Sequence, residues 1–165
     1  MERVLPVDKG VMGQVRVAIV GSGQMAGVRS DRLAKSPHTS VVAVAARNQK
    51  TGPELAARHR VECTQDWMGT VRRPDVDAVV LTTHPDTRAE IGMAVLRAGK
   101  HLFTESPLAL SHRDGSRLMA MANEDGLVIR VGHTSAIRPS TRLIQEQMTV
   151  LGGPVHDHVM IQPSD

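Results

Sequence analysis

The feature that most constrains the fold is a glycine-rich turn directly after a short apolar run. The run Val15–Val20 is mostly apolar and rich in β-branched residues, so it predicts a buried strand. The turn that follows, residues 21–26, has the sequence GSGQMA, a G-x-G-x-x-A pattern opening a predicted helix over 23–36. Such a turn lets the backbone approach a pyrophosphate at a helix N-terminus and therefore predicts dinucleotide binding. The alternative is a glycine-rich turn that binds no nucleotide.

Further apolar runs alternate with helical patterns along the chain. The run 41–46 is apolar on both faces, as expected of a parallel strand covered by helices on each side. Apolar residues at 91, 94, 95 and 98 predict one face of a helix that Gly99 ends. This alternation predicts an α/β Rossmann fold of three layers around a doubly wound parallel sheet of order 3-2-1-4-5-6. The other predicted strands are 61–63, 77–82, 101–104 and 127–132, and the other predicted helices are 51–59, 66–71, 111–126 and 139–148.

The length of 165 residues suits one domain of ordinary size. We predict a leader over residues 1–14, a nucleotide-binding domain over 15–150, and a strand over 155–161. That strand, within 151–165, is interpreted as the first of a second α/β domain. The expected fold is therefore truncated at the start of that second domain.

Composition and charge exclude several classes of protein. Trp67 and Phe103 are the only aromatic residues, which argues against a base-stacking platform for single-stranded nucleic acid. The 20 basic residues are scattered and the net charge is only +3, which argues against any nucleic-acid partner. No apolar run approaches the roughly 18 residues that span a membrane. With Cys63 as the single cysteine, we expect a cytoplasmic protein without a membrane partner.

The residues after the second predicted strand bear on the choice of cofactor. NAD-binding domains usually carry Asp or Glu about 20 residues after the glycine turn, where it accepts the ribose hydroxyls. Here Ala46, Arg47 and Asn48 occupy that place. A guanidinium would bind a 2′-phosphate, so NADP is favoured over NAD. The alternative is that Arg47 is a solvated surface charge.

Two further segments carry a family resemblance. Residues 77–90 have the sequence DAVVLTTHPDTRAE, and residues 98–110 have the sequence AGKHLFTESPLAL. With the glycine turn, they resemble the N-terminal domain of the Gfo/Idh/MocA oxidoreductases, in which a run similar to A-G-K-H-V-x-x-E-K-P-L-A closes the nicotinamide pocket. The resemblance covers nearly all of residues 15–160. It implies NAD(P)-dependent hydride transfer, with a nicotinamide dinucleotide and a sugar, polyol or related small molecule as partners.

The resemblance also assigns site residues. Glu105 and Ser106 fall on the catalytic Glu-Lys pair of the family, whose lysine binds the substrate hydroxyl and relays its proton. The loop of residues 83–88 is similar to the family's T-P-P-E-T-H, with Arg88 in place of the histidine. In the run that matches the family's Glu-Lys-Pro, the resemblance implies a cis peptide bond before Pro107. The cofactor-binding residues predicted from the turn and the resemblance are Gly21, Gly23, Gln24, Met25, Ala26, Arg47, Thr83, His84, Pro85, Glu105 and Pro107.

Alternatives remain open at the level of function. Because Ser106 has neither the reach nor the charge of lysine, a non-catalytic NAD(P)-sensing or regulatory relative is the main rival. A methyltransferase-type Rossmann domain fits the glycine turn but not the run from Glu105 to Pro107. His156 and His158 would share one face of a strand, but they lack a third ligand, so no metal site is predicted. The face that should meet a second domain predicts self-association as a homo-oligomer.

Overall fold

A six-stranded parallel sheet forms the centre of the described domain. The computed structural model describes residues 13–133 together with residues 143 and 146. The strands follow the order β3-β2-β1-β4-β5-β6, and every neighbouring pair is parallel. The predicted doubly wound sheet order is therefore confirmed. The strands are β1 (Val15–Val20), β2 (Thr39–Ala45), β3 (Cys63–Thr64), β4 (Ala78–Leu81), β5 (His101–Glu105) and β6 (Ile129–Gly132).

Five helices connect the strands, and local signals fix several of their ends. At the start of the last one, the Ser111 hydroxyl accepts a hydrogen bond from the Asp114 backbone N–H at 3.1 Å, as a capping motif requires. Gly99 and Gly126 follow two of the helices with φ of +70° and +65°, a conformation that glycine adopts without strain. The helices are α1 (Gln24–Ala34), α2 (Thr51–His59), α3 (Trp67–Val71), α4 (Pro85–Arg97) and α5 (His112–Glu124).

Packing on both faces of the sheet creates the three layers. Along β1, Val17 and Ile19 belong to one buried cluster, whereas Ala18 and Val20 belong to the other. Successive side chains of a strand point to opposite faces, so this alternation shows that β1 is covered on both sides. None of the helices in the described part of the chain is long and apolar enough to cross a membrane.

The chain divides into two units at residue 132. All of the elements named above belong to the first unit. In the second unit the structure describes His133, Leu143 and Glu146, which are exposed. The predicted leader up to residue 12 and the predicted strand over 155–161 lie outside the described residues, as does most of the predicted helix 139–148.

A bidentate ion pair joins the amino-terminal ends of β1 and β4. The Asp77 carboxylate accepts hydrogen bonds from Arg16 Nε at 3.0 Å and Arg16 Nη2 at 2.7 Å, and from the Arg16 backbone N–H at 2.8 Å. Hydrogen bonding from the Arg16 side chain is the main reason that the pKa of Asp77 falls from 3.8 to about 2. The pair therefore links two adjacent strands through a carboxylate that stays ionised in mild acid.

We predict that this pair makes stability depend on pH in a defined window. Folding lowers the pKa of Asp77, so the unfolded chain binds more protons between pH 4 and pH 2. The stabilisation is complete above about pH 4 and is lost as the pH falls through about 2. Because the two side chains are 42% and 37% exposed, solvent screening limits its size to about 1 kcal/mol. Urea unfolding should show that Asp77→Asn loses about this amount at pH 7 and little of it at pH 2. The exposed Asp125→Asn is the control, and an unchanged acid limb in Asp77→Asn would contradict the assignment.

Candidate functional site

An open cleft lies at the carboxyl-terminal edge of the sheet, where β1, β2 and β4 end. Its volume is about 300 Å³. Ligands of open α/β sheets bind at this edge, beside the point where the strand order reverses, which here is between β1 and β4. The cleft is lined by residues 20–23, 45–48, 65, 67, 82–84, 87, 90 and 91.

The two glycines of the turn after β1 have different structural roles. Gly21 has φ of +113°, and a Cβ added there would lie 2.6 Å from Thr82 Oγ1. Gly21 is therefore required by the turn itself. A Cβ added at Gly23 would meet nothing within 4 Å, so this glycine leaves open space in the cleft at the start of α1. Ala26, one turn later, is fully buried, as close packing of α1 on the sheet requires.

The start of α1 is suited to an anion. Its N-cap residue, Gly23, offers no side chain to cap the helix, and its first turn contains no acidic residue. Gln24 is exposed and Met25 is half-buried at this end. This 11-residue helix begins beside the cleft-lining Gly23, and the N–H groups of its first turn carry the positive end of the helix dipole.

Arg47 lies two residues after the end of β2 and lines the cleft. It follows the buried Ala46, is exposed, and forms no ion pair with the other described residues. The neighbouring Asn48 caps the start of α2: its Oδ1 accepts hydrogen bonds from the backbone N–H groups of Lys50 and Thr51, both at 2.9 Å. These contacts occupy N–H groups at the start of α2. An anion at this corner would therefore depend on Arg47.

A hydroxyl pair ties the glycine turn to α2. Ser22 Oγ lies 2.7 Å from Thr51 Oγ1. Ser22 lines the cleft between the two glycines, so this contact holds the turn beside the loop that carries Arg47. Sequence reasoning missed the pair, because residues 29 positions apart give no local signal of contact.

The loop after β4 forms the opposite border of the cleft. Thr83 and His84 line it, and Pro85 starts α4 directly after His84. His84 Nδ1 lies 2.9 Å from Asp86 Oδ1, and this hydrogen bond is the main cause that lowers the pKa of Asp86. The Thr87 hydroxyl lies 2.9 Å from both Thr83 Oγ1 and the His84 carbonyl oxygen. These contacts hold the loop in place from α4.

A buried guanidinium connects this loop to the loop after β5. Arg88 is 7% exposed, and desolvation by burial lowers its pKa. Its Nε donates to the Thr83 carbonyl at 3.0 Å, and its Nη1 donates to the carbonyls of Glu105 and Pro107, both at 2.9 Å. A buried cation needs such partners, and here backbone oxygens supply them. Arg88, the departure from the family's histidine, thus fixes two loops of the site relative to each other.

The carboxylate of Glu105 is held inside the fold. Arg29 of α1 donates to it from Nε at 2.6 Å and from Nη2 at 3.1 Å, and both side chains are nearly buried. The Arg29 guanidinium also lies over the Phe103 ring, 5.0 Å from its centroid. A Cβ at Gly132 would lie 2.8 Å from Arg29 Nη2 and from Glu105 Oε2, so a larger residue there would require this pair to shift.

The rest of the predicted catalytic run is at the surface. Ser106 and Pro107 are exposed, and the peptide bond between them is cis, as the resemblance implies. Glu105, Ser106 and Pro107 do not line the cleft. Glu105 ends β5, and Ser106 and Pro107 lie on the loop after it, which Arg88 joins to the loop after β4. Over the described residues, no group of three or more His, Cys, Asp or Glu side chains could hold a metal ion. His156 and His158 lie outside the described residues.

Comparison with known proteins agrees with this geometry. The model of the oxidoreductase family with an NAD-binding Rossmann fold, GFO_IDH_MocA, matches residues 15–133. A 4-carboxy-2-hydroxymuconate-6-semialdehyde dehydrogenase from Sphingobium sp. is 33% identical over 81% of this chain and 43% of its own length. A dTDP-3,4-didehydro-2,6-dideoxy-alpha-D-glucose 3-reductase from Saccharopolyspora spinosa is 35% identical over 70% of this chain and 35% of its own.

A solved structure shares the fold as well. Biliverdin reductase from Synechocystis sp., crystallised with biliverdin and NADP+, superposes with a TM-score of 0.79 and 28% identity over 82% of this chain and 43% of that one. The chain thus spans less than half the length of the relatives it matches. The family match covers every strand described above, from β1 to β6. This chain therefore belongs to the Gfo/Idh/MocA oxidoreductases and carries the NAD-binding Rossmann domain of that family.

Proposed function

We propose that this chain is the cofactor-binding part of an oxidoreductase that transfers hydride between NADP(H) and a sugar, polyol or related compound. The observation that carries the proposal is the cleft itself, with open space at Gly23 and the cation of Arg47 at the end of β2. Hydride transfer is the chemistry that a bound nicotinamide ring supplies. The protein contributes binding and orientation.

Residues of the chain have distinct parts in this proposal. The start of α1 at Gly23 binds the pyrophosphate, and Arg47 pairs with the 2′-phosphate that distinguishes NADP from NAD. Thr83, held by Arg88, frames the side of the cleft nearest β4. Glu105 keeps its loop in position through Arg29 and is not free to act as a base while the ion pair persists.

The family's proton-relay lysine has no counterpart at its position in this chain. Ser106 is exposed and stands where the family has lysine, and a neutral hydroxyl cannot supply the charge of an ammonium group. The matched relatives are more than twice as long as the segment they share with this chain. We therefore assign substrate positioning and the proton relay to a second domain. The rival function, an NAD(P) sensor without catalysis, is favoured by Ser106 alone.

The proposal extends to partners and location. Two of the relatives named above are, by name, a semialdehyde dehydrogenase and a reductase of a nucleotide-linked sugar, which supports a small oxygen-rich substrate for the whole protein. Self-association as a homo-oligomer is part of the same proposal. A cytoplasmic location is supported by the single cysteine, which cannot form an intramolecular disulfide.

The pyrophosphate assignment is tested with Gly23→Val. The Cβ of the new side chain would stand in the open space of the cleft with no protein atom within 4 Å, so cofactor binding should be lost while the fold remains. Calorimetric titration with NADPH measures binding, and circular dichroism measures folding. Gly115→Val is the control, because a Cβ there also meets nothing within 4 Å but lies in α5, away from the cleft. A folded Gly23→Val that binds NADPH normally would refute the assignment.

The cofactor preference is tested with Arg47→Ala. Loss of a charge-assisted contact to the 2′-phosphate should weaken NADPH binding by roughly ten- to hundredfold, while NADH binding changes little. Arg113→Ala, which removes an exposed arginine from α5, should leave both affinities unchanged. Equal affinities of the wild type for NADPH and NADH would contradict the proposed preference for NADP.

If substrate positioning and the proton relay belong to a second domain, this chain by itself should not catalyse hydride transfer. We expect no appreciable turnover of sugars, polyols or inositols, and Ser106→Lys should not restore it. A positioned proton-transfer group contributes about 10²- to 10⁴-fold, and loss of substrate orientation by the second domain adds to that deficit. Absorbance of the reduced nicotinamide measures the rate, with cofactor affinity as the control for folding. Robust turnover by the wild-type chain would show that Ser106 or His84 can carry the proton.

A further inference from the structure

Arg88 brings a positive charge into the interior of the fold. The residue is 7% exposed, and its guanidinium donates to the backbone carbonyls of Thr83, Glu105 and Pro107. Carbonyl oxygens satisfy N–H groups but carry no formal charge, and Arg88 forms no ion pair within residues 13–133. Because arginine stays protonated in proteins, the fold holds a full positive charge at this point.

The nearby carboxylate of Glu105 does not neutralise this charge. It accepts two hydrogen bonds from Arg29, at 2.6 and 3.1 Å, and forms an ion pair with that guanidinium. Burial lowers the pKa of Arg88, and the attraction of Glu105 opposes that effect only in part. Two guanidinium groups thus share one carboxylate, and a single positive charge is left over inside the fold.

The other carboxylates at this end of α4 are exposed to solvent. Asp86 and Glu90 are both exposed, and the Asp86 carboxylate is hydrogen-bonded to His84. Water and salt screen such surface groups strongly, whereas a charge held inside the protein is screened much less. Arg88 is also the fourth residue of α4, so the positive end of the helix dipole adds to its potential.

This charge lies on one particular side of the cleft. Arg88 Nε holds the carbonyl of Thr83, and Thr83 and His84 line the cleft at the end of β4. A dinucleotide bound to a doubly wound sheet crosses the point where the strand order reverses, with its adenosine ribose at the end of β2. The nicotinamide half therefore belongs on the β4 side. Arg88 supports the border nearest the part of the cofactor whose charge changes in the reaction.

We propose that the buried charge of Arg88 makes the cleft bind NADPH more tightly than NADP+. The inference rests on the proposed function, because it concerns the redox state of the same cofactor. The oxidised nicotinamide ring carries a positive charge that the guanidinium repels, whereas the reduced ring is neutral. Neither the glycine turn nor Arg47 can provide this preference, since the phosphates that they contact are the same in both forms.

The preference also favours one direction of hydride transfer in the whole protein. When an alcohol is oxidised, hydride leaves its carbinol carbon and forms a C–H bond on the nicotinamide ring, and the hydroxyl proton passes to the group assigned to the second domain. The ring loses its positive charge in this direction, which relieves the repulsion by Arg88. Oxidation of an alcohol is therefore favoured over reduction of a carbonyl. A tenfold preference for NADPH raises the two-electron potential of the bound cofactor by about 30 mV.

The test compares the dissociation constants of NADP+ and NADPH, measured by calorimetry at one salt concentration. The two ligands differ only in the nicotinamide ring, so a loss of affinity shared by both forms cancels in the ratio. The wild type should bind NADPH roughly tenfold more tightly. Arg88→Gln, which is neutral but still a hydrogen-bond donor, should bring the ratio toward one. Arg88→Lys, which keeps the charge but loses the planar fork, should keep most of it.

Two further variants complete the comparison. Arg97→Gln is the matched control, because Arg97 is an exposed arginine in the last turn of the same helix, and it should keep the wild-type ratio. Arg88→His carries the residue that the family has at this position. At about pH 8, where an ordinary imidazole is neutral, it serves as a second uncharged variant if Arg88→Gln does not fold.

The outcomes distinguish this inference from the proposed function. If the wild type binds the two forms equally, or binds NADP+ more tightly, the role of Arg88 is overturned and NADP binding stands. If the wild type binds neither form, both are wrong. The inference also fails if the uncharged variants keep the wild-type ratio, or if Arg88→Lys or Arg97→Gln lowers the ratio as much as they do.

Discussion

The parallel pairing of β1 with both β2 and β4 determines where this protein can bind a ligand. Since β2 lies on one side of β1 and β4 on the other, the connections after β1 and β4 leave the sheet in different directions and open a cleft between them. The alternation of buried residues along β1 fixes this strand at the centre of three layers. The glycine turn, the cation after β2 and the loop after β4 meet only because of that strand order.

The buried Arg88 and the largely buried Arg29 keep the edge of the sheet in one arrangement. Arg88 joins the carbonyls of Thr83, Glu105 and Pro107, and Arg29 holds the carboxylate of Glu105 from α1. Removing one partner from such a buried charge leaves the other without compensation, which is costly in a low-dielectric interior. The glycine at 132 accommodates the Arg29 pair at close range. The borders of the site are therefore set before any cofactor arrives.

Local patterns in the sequence predict the elements better than the contacts between them. The strand before Gly21, the capping motif at Ser111 and the glycine after α4 are each recognisable within a few residues, and the sheet order follows from their alternation. The strand bounds shift by one or two residues, as at β2, because tertiary pairing decides where strands end. The pairing of Arg29 with Glu105, 76 residues away, has no local signal. The sequence identifies Trp67 as one of two aromatic residues, but it does not predict that Trp67 lines the cleft, because that position depends on how α3 packs against α4.

Backbone amide NMR during a titration of the whole chain with NADPH tests the central claim most directly. The account predicts saturable shifts that are largest for the amides of Gly21, Ser22 and Gly23, with smaller shifts at Arg47 and Thr83, and little change around Asp77 at the opposite edge of the sheet. Shifts of comparable size at both edges, or no saturable shift at the glycine turn, would contradict it.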